Sequence, residues 1–78
     1  MDILERMKDV ICEYSDAKRE ELTLETNMRT DLDLNSLELV NMAVAIEDEF
    51  DVEIPDREAL GLETIGDAVV LIEKHIND

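Results

Sequence analysis

Breakers of regular structure are scarce in this chain: one proline and two glycines serve 78 residues. A sheet of hairpins needs Gly, Pro or a left-handed residue at every turn. Helices instead want Leu, Glu and Ala, which are abundant here. With one Phe, one Tyr and no Trp, the core has to be made of Leu, Ile, Val, Met and Ala. A chain this short holds one small core, so a single domain over residues 1–78 is expected. At 45% apolar the chain can fold despite a net charge of −15, and its composition is not that of a disordered segment.

Hydrophobic spacing resolves four helical segments. The expected fold is an all-α four-helix bundle of three longer helices and one short one, with a long loop between the first and second. The first helix runs about 3–14, with Ile3, Met7, Val10, Ile11 and Tyr14 on one face and Asp2 and Glu5 as a capping-box pair. Residues 15–35 form the long connection, which needs its own anchors to be stable; Leu22, Leu24, Met28, Leu32 and Leu34 are available. The short helix spans about 56–61, with Asp56 as its N-cap after Pro55 and a stop near Gly61. The last runs about 65–76, capped by Thr64, with Ile65, Ala68, Val69, Ile72 and Ile76 inward. His75 sits in its final turn, where the helix dipole favours a cation. With no second His, it makes neither a metal site nor a catalytic one.

Charge narrows the partners. Twenty-two acids against seven bases repel nucleic-acid phosphates and anionic lipid surfaces. The imbalance is also local: from Thr30 to Asp56 there is no Lys or Arg, while nine acids fall there. Such a field steers partners that carry basic patches. The lone Cys12, opposite the apolar face of the first helix, cannot close an internal disulfide and fits a reducing compartment. No apolar run approaches the roughly 20 residues of a membrane span, and the acidic N-terminus is no signal peptide. A cytoplasmic monomer, associated with neither membrane nor nucleic acid, is the expectation.

Residues 36–50, SLELVNMAVAIEDEF, carry the strongest pattern. At about 100° per residue from Leu39, the side chains of Met42, Ala43, Ile46 and Phe50 fall within about 60° and make a core stripe. Leu37, Val40 and Val44 cluster on a second stripe about 130° away. So small a bundle cannot easily bury both. Ser36 and Glu47 flank the second stripe on one side, Asn41 and Asp48 on the other. Two readings stand: a wider core contact with the short helix, or an exposed docking face with an apolar centre and an acidic rim.

The stretch before it, DLDLNS at 31–36, admits three chemistries. A calcium loop starting at Asp31 would use Asp33 and Asn35, but Ser36 stands where its Gly belongs and Met42 where its bidentate Glu belongs. That reading fails. Ser36 as a plain N-cap has Leu39 three residues on, which gives no reciprocal partner. Asn35 has Glu38, the pattern of a capping box. If Asn35 caps, Ser36 is the first helical residue and its hydroxyl is free at the helix mouth, where amides favour a phosphate and Asp31 and Asp33 oppose one. A serine needs a base to become a nucleophile. No His, Lys or Arg is expected nearby, so this chain has no catalytic residue and another enzyme would have to act on Ser36.

These residues resemble the acyl carrier proteins, whose signature is a D-S-L-type motif opening the second helix of a four-helix bundle. The likeness runs through DLDLNSLELVNMAVAIEDEFDVEIPD, and LTLETNMRTDL is similar to the family's long first loop, so it covers essentially the whole chain. It implies that Ser36 accepts 4′-phosphopantetheine from coenzyme A through a phosphodiester, installed by a separate phosphopantetheinyl transferase with Mg²⁺. The arm's thiol would then carry acyl groups as thioesters between acyl-transferring and condensing enzymes. It also implies that Leu37, Val40, Val44, Asn41, Glu47 and Asp48 meet basic docking grooves on those partners. Three positions depart from the family pattern: Asn35 for its usual Asp, Asp33 for a frequent Gly, and Asn41 for a frequent Glu. The resemblance implies fatty acid biosynthesis or a specialised acyl or polyketide pathway, and these departures point toward a dedicated pathway rather than general fatty acid synthesis. The alternatives are an unmodified acidic interaction module and an aminoacyl or peptidyl carrier; an enzyme is third, for want of a base.

Overall fold

A computed structural model describes residues 2–77. The order is α1 (Ile3–Tyr14), a 3₁₀ turn (Arg19–Glu21), α2 (Ser36–Phe50), α3 (Asp56–Leu60) and α4 (Ile65–Asn77). The fold is all-α, with the long loop between α1 and α2 as expected. α1 packs against α2 and α4, and α3 lies against α2.

Each helix is in place because one stripe of it is apolar. Met7, Val10 and Ile11 of α1 meet Leu39, Met42, Ala43, Ile46 and Phe50 of α2 and Ile65, Ala68, Val69 and Ile72 of α4 in one continuous core. Burying a Val, Leu, Ile, Met or Phe side chain in that core is worth about 1.5–3 kcal/mol, against about 0–1 kcal/mol for an exposed ion pair. Three expected core residues lie outside it. Tyr14 and Ile76, 42% and 38% exposed, sit in the last turns of α1 and α4, where the helices outrun the core. Leu24, 49% exposed, holds the loop with its backbone instead: its carbonyl accepts the Gly66 amide at 2.8 Å. Cys12 is a free, half-buried thiol.

The long loop is not slack. Leu22, Met28 and Leu34 are buried and Leu32 packs against the core. Its middle pairs with the segment entering α4: the Met28 amide donates to Glu63 O at 2.7 Å and the Ile65 amide to Thr26 O at 3.0 Å. The loop therefore arrives at α2 along a fixed path.

Caps explain the boundaries. Asp2 accepts the Glu5 amide at 3.2 Å. The Glu5 carboxylate does not reciprocate; it turns to Arg19 at 2.7 Å and Lys8 at 3.2 Å. Arg19, then Lys8, holds the Glu5 carboxyl below its ordinary value of 4.5. The cap expected at Thr64 forms, its Oγ1 accepting the Asp67 amide at 3.1 Å, and Asp67 adds a reciprocal bond by accepting the Thr64 amide at 3.2 Å. Asp56 is not the cap of α3: Pro55 holds that place with no side-chain bond, and Asp56 is the first helical residue. The Pro55 carbonyl accepts the Glu58 and Ala59 amides, so the turn closes without a polar cap. His75 Nε2 lies 3.8 Å from Glu58 Oε2, linking α4 to α3.

Candidate functional site

The start of α2 is set by two residues that leave Ser36 alone. Asn35 is extended (φ −87°, ψ 178°) and its side chain accepts the Glu38 amide at 2.9 Å, while Glu38 Oε1 accepts the Asn35 amide at 3.0 Å. This capping box satisfies two amide donors without the serine. Ser36 is the first helical residue and is exposed. The chain reaches it by a left-handed turn at Asp33 (φ 57°), a conformation glycine enters at lower cost. Buried Leu34 then fastens the turn, its amide donating to Met28 O at 3.1 Å.

One neighbour contradicts the expectation that no Lys or Arg lies near the serine. Arg29 Nη1 stands 3.5 Å from Ser36 Oγ, at the outer limit of a hydrogen bond, and Nη2 donates to Leu60 O at 3.1 Å. Arg29 lies seven residues before the serine, in the loop, and no spacing rule joins it to Ser36 and to the end of α3. Only the tertiary path of the loop brings the three together. Asp31, one of the two acids expected to oppose a phosphate, accepts the Asn27 amide at 2.8 Å. An exposed hydroxyl beside a guanidinium suits a phosphate ester better than the acidic sequence around it suggests. Among the described residues the hydroxyl's one hydrogen-bonded side chain is Arg29, and a guanidinium cannot serve as a base.

The second stripe of α2 faces outward. Leu37 and Val44 are 69% and 51% exposed, Val40 is half-buried, and Asn41 and Asp48 are exposed beside them. The docking-face alternative therefore has the surface it needs, and the wider-core alternative would leave Leu37 and Val44 unexplained. Glu47 is different. It is half-buried, and its carboxylate accepts the Ile54 amide at 3.0 Å, tying the end of α2 to the segment that enters α3. Its angle on the helix, between the two stripes, could have signalled this structural task.

Known proteins share the pattern. A family model described as a phosphopantetheine attachment site matches residues 5–72. An acyl carrier protein of Lactobacillus acidophilus is 40% identical over 95% of this chain and 92% of its own length. Another, of Phenylobacterium zucineum, is 40% identical over 96% and 95%. A third, of Caulobacter vibrioides, is 44% identical over 91% of each chain. A match of this extent, on a helical bundle with an exposed serine opening its second helix, places the chain in the acyl carrier protein family, carriers rather than catalysts, whose cargo rides on covalently attached 4′-phosphopantetheine.

Proposed function

We propose that Ser36 is the attachment point and that the chain serves fatty acid biosynthesis or a specialised acyl or polyketide pathway, with the departures at Asn35, Asp33 and Asn41 favouring the specialised one. The observation that carries this reading is the division of labour at the mouth of α2. Asn35 and Glu38 cap the helix, so the Ser36 hydroxyl is exposed and not consumed by folding. In the attachment the Oγ–P bond forms as the pyrophosphate link of coenzyme A breaks. Adenosine 3′,5′-bisphosphate leaves, and the hydroxyl proton passes to a base that the transferase supplies. The attached arm contributes a thiol that holds acyl groups as thioesters. The protein's own part is to present that arm and to be recognised. Tethering gives the cargo a high effective concentration at each partner's active site.

Recognition fits the outer strip of α2: Leu37 and Val44, with Val40 between them, supply apolar area, and Asp48 supplies charge for steering. A strongly acidic second helix favours acyl-transferring and condensing enzymes with basic grooves over aminoacyl or peptidyl partners. Asn35, Asp33 and Asn41 alter the surface those partners meet, which supports the dedicated pathway.

Incubation with coenzyme A and a broad-specificity phosphopantetheinyl transferase should raise the intact mass by about 340 Da, and Ser36→Ala should gain nothing. No gain with several transferases would leave an unmodified interaction module as the better account. For docking, Asp48→Lys should slow association with a condensing enzyme and flatten the salt dependence of the on-rate. An unchanged on-rate would remove Asp48 from the docking face. Glu47 is a poor choice for that test, because reversing its charge also breaks the bond to Ile54.

A further inference from the structure

We propose that the Arg29 guanidinium binds the phosphodiester joining Ser36 to its arm, and so sets the direction in which the arm leaves the protein. This rests on the reading of Ser36 as the attachment point.

Arg29 is held from both sides. Asn27 Oδ1 accepts the amides of Arg29 and Thr30 at 2.9 and 3.0 Å, and the adjacent Met28 is fully buried with its amide bonded to Glu63 O. At the far end, Nη2 is bonded to Leu60 O, a carbonyl at the last residue of α3. The guanidinium thus spans from the end of α3 to the mouth of α2. Among the described residues no carboxylate lies within ion-pair distance of it, whereas Arg6 pairs with Glu49 and Arg19 with Glu5 and Asp9; Arg57 has no such partner either, but only Arg29 is turned toward the Ser36 hydroxyl. In a chain with 22 acids and seven bases, an arginine left without a carboxylate and aimed at a neutral hydroxyl calls for an explanation.

A phosphodiester supplies one. Phosphorus bonded to Oγ carries its two anionic oxygens one bond further out, into the space Nη1 faces. A long, weak contact to a neutral hydroxyl then becomes a charge-assisted bond of about 2.8 Å. Arginine's planar fork can engage the phosphate with Nη1 while Nη2 keeps its carbonyl. The charge balance favours it too. The added anion falls in a stretch, Thr30 to Asp56, that holds nine acids and no base. Arg29 is the base that the loop returns to this point, and Asn35, beside the serine, adds no negative charge. A phosphate held between the first turn of α2 and the last residue of α3 directs the arm along the side of the bundle where these helices meet.

Nuclear magnetic resonance on the apo and modified protein tests this, with intact mass confirming each form. In the wild type, modification should shift the Arg29 Nε–Hε resonance and slow its exchange with water. The phosphorus line of the modified protein should be broader than in modified Arg29→Gln, because the phosphate loses a tether in the variant. Arg29→Lys, which keeps charge without the fork, should fall between them, and the difference should shrink in 1 M salt, where the Debye length is about 3 Å. An Arg29 side chain unmoved by modification would by itself overturn the proposal while leaving Ser36 as the attachment point, and so would equal phosphorus lines in wild type and a folded Arg29→Gln. If the wild type takes up no mass at all, the attachment reading falls, and this assignment with it. The wild-type measurement needs no variant, so a poorly folded Arg29→Gln would not shield the idea.

Discussion

Two aspartates do work that glycine does at lower cost. Asp51 closes α2 in the left-handed conformation (φ 55°, ψ 50°), and Asp33 adopts φ 57° on the way in. A Cβ in that region costs about 1 kcal/mol. Asp51 also places a carboxylate at the negative end of the α2 dipole, in an acidic stretch, and its side chain makes no hydrogen bond among the described residues. Asp51→Gly therefore removes strain and repulsion together and loses only unfolded-state entropy. It should stabilise the protein by about 1 kcal/mol, read as a higher urea midpoint at unchanged slope. Asp51→Ala, which keeps the Cβ, should gain less. At this scale the capping pair Asn35 and Glu38 was legible because a cap has a fixed three-residue spacing. Arg29 beside Ser36 was not, since a contact made by a folded loop leaves no period in the sequence.

Helix limits were legible to within a residue, because an apolar stripe and a cap coincide at most of the ends. How the long loop meets α4 was not. Leu24 was expected to anchor with its side chain, yet its carbonyl does so through the Gly66 amide. The nature of Gly66 follows from that contact: a Cβ there would stand 2.9 Å from Leu24 O, a backbone atom. Alanine gains about 1 kcal/mol of helix propensity over glycine, but here it must push the loop off α4 and lengthen the bridge to Thr26 and Met28. Gly66→Ala should destabilise by about 1–3 kcal/mol, seen as a lower melting temperature. Gly61→Ala is the control. Gly61 ends α3 with an ordinary φ of −86°, and a Cβ there would meet its neighbours at 3.5 and 3.6 Å. It should be tolerated, even though Gly61 was read as the residue that stops the helix.

For the molecule as a whole, the question is what so much negative charge costs. In sequence the acids of 31–38 form one cluster and those of 13–21 another. The fold sets them across an open cleft: Glu13, Asp16 and Glu21 line one side, Asp31, Asp33 and Glu38 the other. The core cannot relieve this repulsion, because packing is indifferent to the charge above it, and among the described residues that line the cleft there is no base to offset it. Mobile ions can. Raising NaCl from 10 to 150 mM shortens the Debye length from about 30 to about 8 Å, and the melting temperature should rise with it. Neutralising two of the three acids on one wall tests the cause: Glu13→Gln with Asp16→Asn should stabilise by about 0.5 kcal/mol, or about 2–4 °C in a domain of this size, at low salt, and should flatten the salt dependence. Neither side chain makes a hydrogen bond among the described residues, so the variant removes charge and little else. A melt as steep in salt as that of the unaltered chain would place the repulsion elsewhere, on the outer strip of α2, where the same carboxylates that strain the fold would be those that draw in a basic partner.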